Sequence, residues 1–310
     1  MTVAVIIPTY QAASYIKPLM ESILKQSLQP NYILVIDSSS TDDTVELLKA
    51  YAVTVHVIPK SQFNHGGTRQ LAVSLVNADI YVYLTQDAVL AEADSLQKLI
   101  KSFENLQVGA AYGRQLPHEG AGLLGAHLRR FNYPERSELR SLADIRRLGL
   151  RTCANSNSFA AYRAIALQAV DGFPSNVIFG EDVYTAARLV QAGWWIAYCA
   201  EARVYHSHDY TLAEDGRRYF DIGVFHAQNM WILRQFQSPS RLGRRYVLSE
   251  LKWCWTRGAY LSCVASIIHS GMKWVSYRLG RQYHCLPNRL RRYFSLNPKY
   301  WDNYADRPRS

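Results

Sequence analysis

The chain has 310 residues, of which 48% are hydrophobic and 19% charged, so it is long enough to bury an α/β core and too apolar to be disordered. Its five cysteines are odd in number and form no Cys-x-x-Cys pair, which favours reduced thiols in the cytosol over a disulfide framework. The net charge of +10 is concentrated in residues 241–310, where 14 Lys and Arg face 3 Asp and Glu.

The first 90 residues alternate between short apolar runs and amphipathic stretches. The pattern predicts strands at 3–7, 32–36, 53–58 and 80–84, and helices from about Ser14, after the polar run 38–43, and over 66–76. Pro8 cuts the first run short and no basic segment precedes it, so we expect a strand there rather than an export signal. Strand and helix in alternation predict an α/β fold with a Rossmann-like, mostly parallel sheet flanked by helices.

Beyond residue 90 the alternation is less regular. Strands are predicted at 108–113, 157–162, 195–199 and 203–206, helices at 181–192 and from about Ala213, and a loop-rich segment at 114–150. We expect a catalytic domain over 1–237 and a helical C-terminal extension over 238–310. Ligands bind beyond the carboxyl ends of parallel strands, so Thr9, Asp37 and Asp87 should converge on one crevice.

The extension combines basic residues with Trp and Tyr, a mixture favoured at membrane interfaces. Residues 251–279 are predicted to be helical, but their longest apolar stretch is roughly ten residues, and a spanning helix needs about twenty. Two interpretations stay open: the segment lies on a bilayer, or it packs as a helical hairpin on the catalytic domain.

Four motifs in order resemble family-2 glycosyltransferases of the GT-A type over residues 1–237. They are Ile6-Ile7-Pro8-Thr9-Tyr10, the run from Asp37 to Asp42, an Asp that ends the fourth strand, and Glu181-Asp182 at the start of a late helix. The segment 63–69, Phe-Asn-His-Gly-Gly-Thr-Arg, is similar to one in bacterial rhamnosyltransferases that use dTDP-L-rhamnose. The resemblance implies inverting transfer of L-rhamnose to a glycan hydroxyl, in O-antigen or another cell-surface polysaccharide.

The resemblance also implies which residues bind the nucleotide sugar. They are Pro8, Thr9, Tyr10, Asp37, Ser39, His65, Gly66, Gly67, Arg69 and Gln86. Asp37 would accept the N3 hydrogen of uracil or thymine, with helix capping as the alternative role. The N–H groups of Gly66 and Gly67 would approach the diphosphate with help from the helix dipole and Arg69, although a Gly pair also suits a simple turn.

A divalent cation, Mg²⁺ or Mn²⁺, is implied at Asp87 and His206. The family usually has an Asp-x-Asp pair, and here Thr85-Gln86-Asp87 keeps only the second carboxylate, which can suffice because Mg²⁺ retains waters and binds phosphates. His208 is the alternative to His206, and a structural role for either His stays open.

Asp182 is implied as the general base that takes the proton from the acceptor hydroxyl, with Glu181 orienting the site or contacting the acceptor. The alternative is that both carboxylates only stabilise the N-terminus of their helix.

Three other functions compete with this one. A UDP-sugar donor would keep the same fold. A nucleotidyltransferase would need a Gly-rich basic loop after the first strand, where Pro8-Thr9-Tyr10-Gln11-Ala12 has neither glycine nor base. A nucleic-acid-binding protein would use the basic tail. We expect instead a cytoplasmic protein, peripheral on the inner face of the membrane, with a lipid-linked glycan acceptor and no nucleic-acid partner.

Overall fold

The computed structural model of the chain describes residues 1–207, 210–237 and 240–302. The strands are β1 Val3–Thr9, β2 Tyr32–Asp37, β3 Thr54–Val57, β4 Ile80–Leu84, β5 Val89–Leu90, β6 Val108–Leu116, β7 Glu138–Arg140, β8 Phe159–Arg163 and β9 Trp195–Tyr205. The helices are α1 Ala13–Leu24, α2 Thr44–Leu48, α3 His65–Leu75, α4 Ser95–Lys101, α5 Leu123–Asn132, α6 Ile145–Leu148, α7 Ala164–Gln168, α8 Glu181–Gln191, α9 Leu212–Gln228, α10 Met230–Phe236, α11 Ser240–Trp255, α12 Tyr260–Arg281 and α13 Asn288–Phe294.

The strands form one sheet in the order β3-β2-β1-β4-β8-β6-β9-β5, with β7 also paired to β9. The first four strands are mutually parallel, as predicted. From β8 onward parallel and antiparallel pairs are mixed, because β8 runs antiparallel to both of its neighbours. The predicted α/β class is confirmed, and the sheet is mixed rather than mostly parallel over its second half.

The core lies on the faces of this sheet. All five residues of β4 are buried, as expected for an apolar strand covered by structure on both faces. On one face, α1 contributes Ile16, Leu19 and Ile23 to the hydrophobic core at its helical spacing. Burial on both faces fixes the register of β1 and β2, so Thr9 and Asp37 are paired at their carboxyl ends.

The chain divides into two compact units at places other than the predicted boundary at residue 237. We call the first the sheet unit; it comprises residues 1–118, 132–176 and 181–207. The second, the helical unit, comprises 119–131, 177–180 and the described residues from 210 onward. Helices α5, α9 and α10, predicted to lie in the catalytic domain, therefore belong to the helical unit, where α9 packs along α12.

The predicted helix over 251–279 is two helices, α11 and α12, which pack against each other. Within the described part of the chain, the length and hydropathy needed to span a bilayer are not found together in any helix.

Candidate active site

The carboxyl ends of β1 and β2 hold Asp37 in a hydrogen-bonded, fully buried position. Its Oδ1 accepts from Thr9 Oγ1 at 2.9 Å and from Ser40 Oγ at 2.6 Å, while Oδ2 accepts the Ser40 N–H at 2.8 Å. Asp37 does not cap α2: the N-cap position is Asp43, and Asp42 accepts the N–H and hydroxyl of Thr44 at the start of the helix. The carboxylate is buried and joins the loops after both strands, and the contact of Asp37 with a base edge stays a prediction.

The loop after β1 is joined to the loop after β4 by a reciprocal pair of hydrogen bonds. Gln86 Oε1 accepts the Tyr10 N–H at 2.9 Å, and Gln86 Nε2 donates to the Tyr10 carbonyl at 3.2 Å. The exposed Tyr10 ring carries the Lys60 ammonium 4.0 Å from its centroid. Tyr10, Gln86 and the neighbouring exposed Ser39 therefore lie at one edge of the sheet, as predicted, together with a cation that the sequence did not single out.

The Gly pair at the start of α3 is both capped and tightly packed. Asn64 caps the helix by accepting the N–H groups of Gly66 and Gly67 at 3.1 and 2.8 Å. A methyl group at Gly66 would lie 1.8 Å from the Pro174 carbonyl oxygen, which explains glycine there by close packing. The approach of these two N–H groups to a diphosphate stays a prediction.

Arg69 does not present its charge to solvent. The side chain is 5% exposed, and its Nη1 lies 2.7 Å from the His65 carbonyl and 3.1 Å from Glu181 Oε1. The guanidinium is thus paired with Glu181, and its direct contact with the donor stays a prediction. A buried carboxylate needs such a partner to stay ionised.

Asn157 is a site residue that the sequence reasoning missed. Its Nδ2 donates to Glu181 Oε1 at 3.1 Å, and its Oδ1 accepts from the Tyr162 hydroxyl at 2.7 Å. The polar run 155–158, placed just before a strand whose first four residues are buried, was the available signal. Since β8 runs antiparallel to β4, with Phe159 paired to Leu84, this run lies beyond the same end of the sheet as Asp87.

Asp87 and His206 come together as predicted. His206 Nε2 lies 3.4 Å from Asp87 Oδ2 and 3.5 Å from Ser158 Oγ, and its Nδ1 lies 3.0 Å from Gln115 Oε1. The other predicted histidine, His208, falls outside the described residues. Because Ser158 adjoins Asn157, a continuous series of contacts joins Asp87 and His206 to the Glu181 side chain.

Glu181 and Asp182 begin α8 with opposite electrostatic environments. Burial acts to raise the pKa of Glu181, but the charges of Arg69 and His65 and the Asn157 hydrogen bond outweigh it and leave that pKa below its ordinary value. Burial, followed by the Glu181 charge, raises the pKa of Asp182 to about 7. Adjacent carboxylates whose pKa values are pushed apart are typical of an acid–base site. One stays ionised, and the other can accept a proton near neutral pH.

The residues at Asp87 are compatible with a divalent cation. An imidazole nitrogen and a carboxylate oxygen face each other at contact distance, and within the described residues the buried Thr85 hydroxyl has no hydrogen-bond partner. No group of three or more His, Cys, Asp and Glu side chains is placed to hold a metal in the described ranges. The protein would thus supply two ligands, and a bound diphosphate and water would complete the sphere.

Comparison with known proteins places this arrangement in a family. Residues 4–170 match the family described as Glycosyl transferase family 2. The chain is 42% identical to the O-antigen chain rhamnosyltransferase RfbN of Salmonella typhimurium strain LT2, over 98% of this chain and 97% of that one. It is 43% identical to the O-antigen chain rhamnosyltransferase WbaN of Salmonella anatum, over 96% and 95% of the two chains.

Solved structures support the fold. A mannosyltransferase, PcManGT from Pyrobaculum calidifontis, in complex with GDP-Man and Mn²⁺, has a TM-score of 0.58 at 18% identity, covering 99% of this chain and 88% of that one. S. aureus TarS 1-349 in complex with UDP has a TM-score of 0.56 at 16% identity, covering 92% and 91%. The expected GT-A type fold is thereby confirmed.

Proposed function

The chain belongs to glycosyltransferase family 2, and on that premise we propose that it transfers L-rhamnose from dTDP-L-rhamnose, with inversion, to a hydroxyl of an O-antigen or related surface glycan. Near-complete alignment with two O-antigen chain rhamnosyltransferases supports the choice of sugar. The observation that carries the chemistry is the Glu181–Asp182 pair, in which the partly exposed Asp182 has a pKa near neutrality.

The proposed transfer is a single displacement. The Asp182 carboxylate removes the proton from the acceptor hydroxyl as that oxygen attacks the anomeric carbon, and the bond from that carbon to the nucleoside diphosphate breaks on the opposite face. Glu181, held ionised by Arg69 and Asn157, keeps the adjacent Asp182 basic. Because the acceptor attacks the face opposite the departing diphosphate, the configuration at the anomeric carbon is inverted. This displacement needs one base and no covalent sugar intermediate.

The donor is proposed to bind across the edge formed by Tyr10, Ser39 and Gln86, with His65 nearby at the start of α3. Tyr10 offers an exposed ring for the base, and Lys60 beside it offers positive charge for the phosphates. A Mg²⁺ or Mn²⁺ ion held by Asp87 and His206 would neutralise charge on the departing diphosphate. Thr9 and Asp37 support this edge from beneath by fixing its loops.

A donor panel tests the proposal. The purified full chain is given dTDP-L-rhamnose, UDP-N-acetylhexosamine or UDP-galactofuranose with a glycan acceptor, and release of nucleoside diphosphate is measured with Mg²⁺, Mn²⁺ or a chelator. We expect acceptor-dependent release of dTDP that falls on chelation. Faster turnover of either UDP-sugar would assign another donor to the same site, and full activity in the chelator would remove the metal from the proposal.

The metal ligands can be tested apart from turnover. Mn²⁺ binding to the full chain, followed by electron paramagnetic resonance in the presence of dTDP, should weaken in both Asp87→Asn and His206→Asn. Asp94→Asn, a change at an exposed carboxylate of the same unit, is the control and should bind Mn²⁺ as the wild type does. Unchanged Mn²⁺ affinity in the first two variants would contradict the assignment.

The acceptor is proposed to be a lipid-linked glycan, and the protein to act in the cytoplasm at the inner face of the membrane. Support comes from the named activities of the relatives and from the basic, aromatic composition of the C-terminal region.

A further inference from the structure

Helix α12 has its polar side buried. Ser266 is fully buried and donates to Glu250 Oε2 at 2.6 Å. One turn further, His269 Nδ1 and Lys273 Nζ lie 2.8 and 3.2 Å from the carboxylate of Asp215 in α9. This spacing of three to four residues puts the polar side chains on a single face, directed at the rest of the helical unit.

The buried side of α12 also makes close contacts with α9 at the C-terminal end of the helix. The Tyr277 hydroxyl lies 3.1 Å from Nδ1 of the buried His226 in α9. A methyl group at Gly280 would lie 2.1 Å from the Phe220 carbonyl oxygen, so the two helix backbones almost touch there. The orientation of α12 about its axis is therefore set by specific contacts, and its opposite face must point outward.

The outward face is apolar over four turns. Its members are all more than half exposed, and we call them the α12 outer face: Tyr260, Leu261, Val264, Ile267, Ile268, Trp274 and Val275. A helix on the surface of a water-soluble domain normally shows the reverse arrangement, with its apolar stripe buried. A contiguous exposed apolar surface of this kind marks a site of interaction.

The charges around the α12 outer face indicate what covers it. Residues 251–301 contain nine Lys and Arg and no Asp or Glu. Lys252 and Arg257 lie before the face and Arg278 follows it, while the exposed Trp255 ring packs edge-on against Tyr260 with centroids 5.0 Å apart. A second copy of the chain would bring these like charges together, whereas a surface of negative charge would be attracted.

We propose that the α12 outer face binds an anionic lipid bilayer, with α12 parallel to the membrane plane and its apolar side chains among the acyl chains. Basic residues at both ends then contact lipid phosphates, and Trp255 and Tyr260 lie at headgroup level, where amphipathic rings are favoured. The proposal identifies the residues behind the membrane association suggested above. It does not depend on which sugar is transferred.

Vesicle partitioning of the full chain tests this directly. Binding to vesicles of phosphatidylglycerol and phosphatidylcholine is compared with binding to phosphatidylcholine alone, at low and high salt. The triple variant Leu261→Gln/Ile268→Gln/Val275→Gln should lower the partition coefficient at least about tenfold, because three apolar side chains no longer enter the acyl region. The matched control Leu106→Gln, at a position 77% exposed in the sheet unit, should bind as the wild type does.

A second variant separates the contribution of the basic side chains from that of the apolar side chains. Arg257→Gln/Arg278→Gln should weaken binding to the anionic vesicles and make it less sensitive to salt, and should leave the weak binding to neutral vesicles unchanged. Thermal melting establishes that each variant is folded, and turnover of a water-soluble acceptor should match the wild type in all of them.

Three results would overturn the proposal. The first is equal partitioning of the triple variant and the wild type. The second is a concentration-dependent dimer in sedimentation equilibrium that the triple variant abolishes, which would make a second copy the occupant. The third is tighter binding to a DNA or RNA oligonucleotide than to anionic vesicles, lost in the same variant.

Discussion

The sheet unit and the helical unit both bury carboxylates, but the charges and hydrogen bonds around those carboxylates have different consequences in the two units. In the sheet unit, Arg69 and Asn157 hold Glu181 ionised, and its charge adds to burial in raising the pKa of the adjacent Asp182 to about 7. In the helical unit, hydrogen bonds to Glu250 outweigh its burial and lower its pKa. The buried charge of Glu181 thus makes Asp182 a reactive group in the sheet unit. In the helical unit, buried carboxylates bind the polar side chains of α12, so the apolar side chains of that helix face outward.

The largest effect should come from breaking the ion pair of the sheet unit. Arg69→Met leaves Glu181 as an uncompensated buried charge, and removing one partner of a buried pair costs about 3–5 kcal/mol of folding free energy. Chemical denaturation of the full chain, followed by tryptophan fluorescence, measures the change.

Two further variants make that result decisive. Arg136→Met, which removes an exposed arginine of the same unit, should change stability by less than about 0.5 kcal/mol. Arg69→Met/Glu181→Leu should recover most of the loss, since no lone charge stays buried. A double variant as unstable as Arg69→Met would show that packing of Arg69, and not its charge, is what the fold requires.

A smaller loss of stability is expected in the helical unit. Glu250→Gln weakens the hydrogen bonds from Ser266 and Tyr246 and the contact with His127, at a cost of about 1–3 kcal/mol. Because the pKa of Glu250 is lowered by folding, its contribution is fully present above the ordinary pKa of 4.5 and is lost as pH falls through the folded value.

Urea denaturation at several pH values tests this comparison. The stability difference between wild type and Glu250→Gln should shrink as the solution is acidified below pH about 4.5. Turnover of a soluble acceptor at neutral pH should stay at the wild-type level, since Glu250 has no place in the proposed chemistry. A large loss of turnover in the folded variant would mean that the two networks do not have separate roles.

The smallest effect on turnover should be a displaced pH profile in Glu181→Gln, a variant that is also expected to lose stability because Arg69 keeps its buried charge without this partner. In Glu181→Gln the second cause of the raised Asp182 pKa is removed while burial remains, so that pKa should fall towards, without reaching, its ordinary value of 3.8. The wild-type rate rises as Asp182 loses its proton near pH 7, and in the variant the rise should begin at lower pH. If the variant and the wild type have the same pH–rate profile, the Glu181 charge does not raise the pKa of Asp182.

Much of the fold could be predicted because it depends on local pattern. The strand at 80–84 is continuous, apolar and followed by polar residues, and the helix at Glu181 begins directly after a glycine, so both were placed correctly. The predicted runs at 195–199 and 203–206 are one strand, β9. The exposed Glu201 lies at an irregularity within that strand, where the pairing with β6 passes from Cys199 directly to Arg203.

Contacts between residues far apart in the sequence could not be predicted. The partner of Arg69 is Glu181, and no local pattern records that pairing. The division into two units differs from the expected boundary at residue 237 for the same reason, since α5 belongs to the helical unit through contacts such as that of His127 with Ser249. The family motifs indicated which residues approach the site, but not which of them are buried.

Removal of the acceptor proton by Asp182 can be separated from donor binding by comparing three proteins. Binding of dTDP-L-rhamnose by calorimetry and single-turnover transfer are measured for the wild type, for Asp182→Asn and for Asp171→Asn, which alters an exposed carboxylate of the same unit. We predict that Asp182→Asn binds the donor normally but transfers at least about a hundredfold more slowly, while Asp171→Asn behaves as the wild type. Transfer by Asp182→Asn within a few-fold of the wild-type rate would contradict the account.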